Sequence, residues 1–111
     1  MQKIAEENNL AETAFLLQQD DTWNLRFFTP RSEINLCGHA TLATTHVLYS
    51  ELGITANAME LHTHLAGKLE VEKQGSQYII NLPSWPPQKE MIPEVIWQSL
   101  NLRPEQAFIY W

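Results

Sequence analysis

Residues 36–52 read LCGHATLATTHVLYSEL, and from Ala40 onward this sequence is typical of one α-helix that ends at Gly53. Glu51 is the only formally charged residue in it, and apolar or small residues occur on every side of the helix. A helix with this pattern is normally buried, with other structure packed about it. We therefore expect residues 40–52 to form the central element of the fold.

Cys37, Gly38 and His39 stand at the beginning of this helix. Free backbone N–H groups and the positive end of the helix dipole meet at a helix N-terminus, and together they attract anions. The sequence therefore predicts a core helix that also contributes to a binding site.

The composition is typical of one small globular domain. The chain has 111 residues, of which 44% are hydrophobic and 18% are charged. A net charge of −6, with basic residues scattered singly, argues against nucleic acid or an anionic membrane as a partner. One cysteine excludes an intrachain disulfide and is compatible with a reducing compartment. Because no apolar run has the length of a membrane span and the start lacks the apolar core of a signal peptide, we expect a cytoplasmic protein.

Alternating and helical patterns along the chain predict an α+β fold. Strands are expected at residues 13–18, 23–29, 58–63, 68–73 and 78–82, and further helices at residues 1–8 and 93–100. The first two strands are expected to form an antiparallel pair, and the next three an antiparallel meander. Val95, Ile96 and Leu100 of the last helix are expected to face inward. The result is an α+β fold of about six short strands, mainly antiparallel, around one buried helix.

Both ends of the chain are unusual for a complete domain. The first helix has no capping residue before it, and residues 104–111 begin a strand that the chain does not complete. We interpret the chain as a piece of a longer fold.

Two long segments resemble the PhzF-like family, which is named for phenazine biosynthesis. Residues 1–15, MQKIAEENNLAETAF, resemble the family's MQxIAxExNLxETxF segment. Residues 27–41, FFTPRSEINLCGHAT, resemble its xFTPxxExxxCGHAT segment. The order, the spacing and the helix that follows all agree, and the resemblance covers essentially the whole chain.

This resemblance implies the fold of diaminopimelate epimerase, in which two similar α+β halves each curl a sheet around a central helix. The active site of such proteins lies in the cleft between the halves. Full members have a second half that supplies a catalytic aspartate and a second helix N-terminus. We therefore expect residues 1–111 to form a single domain that resembles a truncated N-terminal half, with a mainly antiparallel curled sheet wrapped around a buried central helix.

The resemblance also implies cofactor-free isomerisation, in which a proton moves at a carbon atom of a small carboxylated metabolite. Glu12 matches the catalytic glutamate of the family's ET motif, and His39 matches the histidine of its GH motif. Glu12 would remove and return the proton, while His39 would position the substrate or relay protons. Gly38, Ala40 and Thr41 are the expected substrate-binding residues, through backbone amides and the Thr41 hydroxyl. Neither a cofactor nor a metal ion is expected.

Each of these residues also has an ordinary structural interpretation. Glu12 can be a solvated or N–H-capping glutamate, and His39 can be a capping or core histidine. Gly38 can serve turn geometry alone, and Thr41 can simply satisfy the first helical turn. Cys37 is an alternative acid–base group, because diaminopimelate epimerase has a catalytic cysteine in the corresponding turn. That enzyme needs a second cysteine on its other half, and this chain has only one, so we favour the interpretation of Cys37 as a small buried hydrophobe.

Two other groups of polar residues are weaker candidates. Glu33 and Asn35 can flank the cleft or belong to an ordinary polar loop. His62 and His64 share one face of a strand, a spacing that metal sites use, but no third ligand of the right type is near them in the sequence. We therefore assign neither group to the site.

Two functions are compatible with these features. The first is an isomerase that completes its site with a second copy of the chain or with a separate partner. The second is a non-catalytic domain that binds a ligand or a partner protein through the same fold. In both cases the missing half is expected to leave apolar surface exposed, so we predict a homodimer or higher homo-oligomer.

Overall fold

The computed structural model describes residues 1–91, 93–101, 105 and 108–109. Its helices are α1 (Gln2–Asn8), α2 (Gly38–Ser50) and α3 (Glu94–Ser99). Its strands are β1 (Thr13–Gln19), β2 (Thr22–Phe28), β3 (Glu33–Ile34), β4 (Ala58–Thr63), β5 (Gly67–Gln74), β6 (Gln77–Asn81), β7 (Gln88–Lys89) and β8 (Phe108–Ile109). These bounds confirm the three predicted helices and the five predicted strands to within two residues.

The larger sheet is mixed but mainly antiparallel. Its strand order is β1-β2-β4-β5-β6, with β3 paired to β2. β1 pairs antiparallel with β2, and β4, β5 and β6 form an antiparallel meander, as the sequence predicts. The pair between β2 and β4 is parallel, and α2 lies between these strands in the chain. Because a parallel pair needs a crossover connection, α2 has to cross the face of the sheet.

The sheet curls around α2 without closing. The helix contacts both β1 and β6, which are the two edge strands of the sheet, so the sheet has to curve towards the helix on either side. This arrangement confirms the predicted α+β fold with a curled sheet around a central helix.

The core lies between the sheet and one side of α2. Leu48 is fully buried there, together with Leu25 of β2, Leu61 of β4 and Leu69 of β5. Alternate residues of a strand point to the same face, so each of these strands can direct apolar side chains towards α2. The burial of such side chains is the main favourable contribution to folding.

The side of α2 that faces the sheet also carries three buried threonines. The hydroxyl groups of Thr41, Thr44 and Thr45 donate to the carbonyl oxygens of Cys37, Ala40 and Thr41, each at 2.8 Å. These hydrogen bonds satisfy the hydroxyl groups within the helix, so the threonines can be buried without polar partners in the sheet.

The opposite side of α2 is not covered by the described part of the chain. Leu42 is 44% exposed and Val47 is 42% exposed, and Ala43 and His46 are exposed as well. We call Leu42, Ala43 and Val47 the outer face of α2. Since apolar and small residues occur all round this helix, the sequence does not show which side packs against the sheet.

The inward orientation expected for Val95, Ile96 and Leu100 is wrong. All three side chains are exposed, and α3 contains no buried residue. A helix of six residues has fewer than two turns, and its apolar side chains need a partner surface that the described residues do not supply.

The predicted closing strand at residues 104–111 is described only in part. β8 pairs antiparallel with β7 in a separate two-stranded sheet. The rest of that segment, except residue 105, lies outside the described residues.

The helices in the described part of the chain are short. α2 has 13 residues, and no described helix combines the length and the apolar character needed to cross a lipid bilayer.

Replacing Leu48 by alanine should lower the free energy of unfolding by about 2–5 kcal/mol, because the change removes buried methyl groups and leaves a cavity. Leu42→Ala is the matched control, since it makes the same chemical change on the outer face of the same helix and should cost less than about 1 kcal/mol. Urea-induced unfolding followed by circular dichroism measures both values. Equal losses in the two variants would show that α2 does not pack through Leu48.

Candidate functional site

α2 begins without a side-chain cap. Cys37 is the N-cap residue, and its side chain makes no capping hydrogen bond. The N–H of Thr41 donates to the Cys37 carbonyl oxygen at 3.0 Å. The N–H groups of Gly38, His39 and Ala40 precede that bond and have no acceptor within the helix, as is general for helix N-termini. This turn therefore presents three backbone donors to an anion.

Glu12 lies beside this end of α2. It belongs to the short segment between α1 and β1, and β1 contacts α2. Asn9, in the left-handed conformation with φ of 50°, ends α1 and redirects the chain into that segment. As a result, Oε2 of Glu12 lies 3.2 Å from Nε2 of His39. The structure thus brings together the two residues that the sequence proposes as catalytic.

These two side chains have different environments. The side chain of Glu12 is 23% exposed and that of His39 is 73% exposed. Within the described residues, Oε2 of Glu12 is buried and makes no hydrogen bond, because its contact with His39 has the distance but not the geometry of one. A buried carboxylate oxygen without a hydrogen-bond partner destabilises the fold. It is available to accept a proton or a hydrogen bond from a ligand.

Cys37 lies in the same place. It is buried, and its Sγ lies 3.4 Å from Nδ1 of His39. One potential ligand atom from each of Glu12, Cys37 and His39 lies within 4.8 Å of the other two, and we call these residues the Glu12–Cys37–His39 cluster. Both interpretations of Cys37, an acid–base group or a buried hydrophobe, are compatible with this position.

An open cavity of about 380 Å³ extends from this cluster between α2 and β1. Apolar side chains form most of its wall, and its polar groups include Glu12 and His39. The residues that line it are Leu10, Glu12, Thr13, Ala14, Leu16, His39, Ala40, Ala43, Thr44 and Val47. An apolar cavity of this size with a few polar groups at one place is typical of a site for a small molecule.

The wall of this cavity is the part of the site that sequence reasoning missed. Leu16 of β1 and Ala43, Thr44 and Val47 of α2 line it. The residues on α2 follow Ala40 at i+3, i+4 and i+7, so the helical period was the available signal. The strand facing them could not be inferred, because it depends on how α2 lies on the sheet.

Gly38 and Thr41 occupy the first turn of α2. Gly38 is outside the left-handed region, and a Cβ atom there would meet a Leu82 side-chain atom at 4.0 Å, an ordinary contact. The local fold therefore does not require glycine at this position. Thr41 is fully buried, and its hydroxyl group is used by the Cys37 carbonyl oxygen.

Three of the remaining polar candidates, Glu33, His62 and His64, contact charged or titratable side chains outside the cluster. Glu33 of β3 accepts hydrogen bonds at 2.8 and 2.7 Å from Arg26 of β2, and Nδ1 of His64 lies 2.9 Å from its Oε1. His62 instead lies 2.6 Å from Glu60. The two histidines therefore have different carboxylate partners, and neither is in the cluster around Glu12.

The contacts of Glu33 explain its role in the fold. The two hydrogen bonds from Arg26, with a further one from His64, lower the pKa of the Glu33 carboxyl group from 4.5 to about 2. The ionised carboxylate thus links β2, β3 and the turn after β4. Neither Glu33 nor the exposed Asn35 lines the cavity.

Comparison with known proteins identifies relatives over nearly all of the chain. The family model described as phenazine biosynthesis-like protein, PhzC-PhzF, matches residues 1–97. An uncharacterised isomerase of Pseudomonas aeruginosa is 39% identical over 102 residues, which are 92% of this chain and 39% of that protein. YddE of Escherichia coli, also named an uncharacterised isomerase, is 43% identical over 90 residues, which are 78% of this chain and 30% of that protein.

Solved structures share the same fold. The crystal structure of a PhzF-family phenazine biosynthesis protein from Enterococcus faecalis superposes with a TM-score of 0.80 at 36% identity, covering 97% of this chain and 41% of that one. A PhzC/PhzF protein from Clostridium difficile gives 0.77 at 37% identity, with the same coverage. The family resemblance and the fold inferred from sequence are thereby confirmed. The chain spans about 40% of the length of three curated relatives that it matches.

Glu33→Gln should lower the free energy of unfolding at neutral pH, and the loss should shrink as the pH falls. Because folding lowers the pKa of Glu33 from 4.5 to about 2, its ionised form stabilises the folded state above the ordinary pKa. This stabilisation is lost as the pH falls through about 2. Urea-induced unfolding at stepped pH measures the effect.

The control for this pH dependence is Glu70→Gln, which changes an exposed carboxylate on β5. The free energy of unfolding of Glu70→Gln should stay close to that of wild type at every pH. A Glu33→Gln deficit that remained constant down to pH 2 would show that the pairing with Arg26 does not stabilise the fold.

Proposed function

Since this chain belongs to the family of phenazine biosynthesis-like proteins, with relatives named as isomerases, we propose that it carries half of an isomerase site. The reaction moves a proton at a carbon atom of a small carboxylated metabolite and uses no cofactor. The observation that supports this most directly is the 3.2 Å contact between Glu12 and His39 at the N-terminus of α2, where the cavity begins.

Glu12 acts as the general base in this proposal. A general base has to lie within hydrogen-bond reach of the proton that it removes, and the buried Oε2 of Glu12 makes no hydrogen bond to any residue that the structure describes. The apolar cavity next to it can hold a C–H group of the substrate. Glu12 would remove the proton from one carbon and return it after the double bond or the configuration has changed.

His39 acts as the second acid–base group. Its Nε2 is near Glu12, and its exposed ring can meet a substrate that enters from solvent. A neutral imidazole has one nitrogen that donates and one that accepts, so His39 can exchange protons with Glu12 or with the substrate. Cys37, 3.4 Å from the ring, is the alternative acid–base group.

The first turn of α2 binds the substrate carboxylate. The N–H groups of Gly38, His39 and Ala40 are suited to an anion. The absence of a structural need for glycine at residue 38 supports this role, because a missing side chain lets a ligand approach the backbone closely. Thr41 supports the turn through its bond to the Cys37 carbonyl oxygen, and a direct contact of Thr41 with substrate stays a prediction.

A second wall is needed to complete this site. The cavity is open and His39 is largely exposed, so water reaches the position where a reactive carbanion would form. A second half from the same kind of fold would close the cavity from the side of α2 that the described residues leave bare. We propose that residues 1–111 act as one such half, and that a second copy of the chain supplies the opposite wall in a homodimer or larger homo-oligomer.

The openness of the cavity also favours a second function. A domain that binds a small acid or a partner protein without catalysis needs the anion-binding turn and the apolar wall, but it does not need to exclude water. In that case Glu12 and His39 would contribute to affinity and specificity alone.

Glu12→Gln should reduce hydrogen exchange at substrate carbon by about 10²–10⁴-fold, because the amide cannot act as a base. The measurement uses the protein in D₂O with a panel of small carboxylic acids that carry an acidic C–H, and NMR follows the loss of each C–H signal. Glu6→Gln, an exposed carboxylate on α1, is the control and should exchange like wild type. Equal exchange rates in Glu12→Gln and wild type would refute the role of Glu12 as the general base.

The same experiment separates the two functions. Chemical-shift changes detect which acids bind to the wild-type protein. Binding of an acid without hydrogen exchange at any of its C–H groups would favour the function as a non-catalytic binding domain. Exchange that depends on Glu12 favours the isomerase.

Val47→Glu should shift the protein towards monomer, since it places a charge on the outer face of α2, which the proposed partner copy covers. Sedimentation velocity over a range of concentrations measures the shift. Leu17→Glu is the control, because Leu17 is similarly exposed but lies on the face of β1 opposite to the cavity-lining Leu16. A wild-type chain that remains monomeric at high concentration would contradict the homo-oligomer.

A further inference from the structure

We propose that the Glu12–Cys37–His39 cluster binds a Zn²⁺ ion, which then prevents these residues from acting as acids or bases. The cluster brings together a carboxylate oxygen, a thiol sulfur and an imidazole nitrogen, with all three atoms within 4.8 Å of one another. These are the three ligand types that zinc sites in proteins use.

The distances within the cluster suit one shared ion. Zinc bonds of about 2.0–2.3 Å in a tetrahedral arrangement place the ligand atoms roughly 3.3–3.6 Å apart. Nε2 of His39 lies 3.2 Å from Oε2 of Glu12 and 3.8 Å from Sγ of Cys37. Sγ of Cys37 and the Glu12 ligand oxygen lie within 4.8 Å of each other, so binding an ion can require these two side chains to move closer together. The exposed ring of His39 has the freedom to turn a nitrogen lone pair towards the ion.

The environment of Oε2 of Glu12 also favours a cation at this position. This buried oxygen makes no hydrogen bond in the described part of the chain, although it lies next to two potential metal ligands. A buried acceptor normally has a partner, so the position calls for a proton donor or a cation. A bound ion would supply that partner.

Charge and ligand type favour zinc over other common cations. A carboxylate and a thiolate together carry two negative charges, which balance a divalent ion. Thiolate and imidazole ligands select Zn²⁺ over Mg²⁺ and Ca²⁺, which prefer oxygen. The dipole of α2 opposes a cation here, but its effect is smaller than that of two full negative charges in direct contact. The open cavity leaves a fourth position for water.

Zinc binding would have a direct consequence for the proposed proton transfer. The lone pair with which Glu12 would remove a proton, and the ring nitrogen of His39, would both be used by the metal. The ion would therefore inhibit the isomerase rather than assist it. This inhibition rests on the proposed function, whereas zinc binding itself does not.

The first experiment measures binding without any substrate. Tag-free protein under reducing conditions is titrated with Co²⁺ as a spectroscopic probe and then with Zn²⁺. The expected result is one equivalent of Co²⁺ with a thiolate-to-cobalt charge-transfer band, which Zn²⁺ displaces. Because the chain has only one cysteine, this band can arise only from Cys37.

Variants test each ligand. Glu12→Gln, Cys37→Ser and His39→Gln should each weaken Zn²⁺ binding at least about tenfold. His46→Gln, which changes another exposed histidine on α2, is the matched control and should bind like wild type. The absence of the thiolate band in wild type, or unchanged affinity in any one of the three ligand variants, would overturn the site.

A second experiment separates this proposal from the proposed function. If the protein exchanges substrate hydrogen in D₂O, one equivalent of Zn²⁺ should stop the exchange and a chelator should restore it. Continued exchange by the zinc-saturated protein would refute the inhibition. If the protein shows no exchange but binds Zn²⁺ through all three residues, the metal-site proposal is supported and the isomerase proposal fails.

Discussion

The packing of one side of α2 against the curled sheet is the contact on which the rest of the structure depends. Leu48 meets the buried leucines of three strands, and the buried threonines beside it satisfy their hydroxyl groups within the helix. This contact holds the helix across the face of the sheet, with both edge strands against it. Its N-terminus consequently lies beside the start of β1, where Glu12 is located. The site is thus a product of core packing as much as of its own residues.

The site combines groups that a fold selected for stability alone would avoid. Glu12 has a buried oxygen with no hydrogen-bond partner within the described residues, and His39 is largely exposed beside it. Glu33 shows the opposite case, since its carboxylate is paired with Arg26 and its pKa is lowered accordingly. An unsatisfied acceptor next to an apolar cavity is suited to a ligand that brings its own donor. The same property makes the cluster suitable for a cation, so proton transfer and metal binding compete for one set of lone pairs.

Much of the fold could be predicted from local patterns. Alternation identified the strands of the meander, and Asn9 marked the end of α1. The parallel pairing of β2 with β4 was not predicted, because no local pattern distinguishes a strand with one parallel neighbour from one with two antiparallel neighbours. The inward face expected for α3 was wrong for a related reason. Periodicity shows that Val95 and Ile96 share a helix with apolar character, but it does not show whether a surface exists for them to pack against.

By itself the sequence determined the positions of the helices and most strands, the family, and the identity of Glu12, His39 and Gly38 as candidates. These properties depend on residues close together in the chain or on motifs of fixed spacing. Only the tertiary structure decided that Glu12 and His39 lie 3.2 Å apart, that Cys37 joins them, and that the described residues leave the outer face of α2 uncovered. Such relations arise when segments distant in sequence pack together. The free energy that favours this packing comes from burying apolar surface over the whole core, and no single segment supplies it.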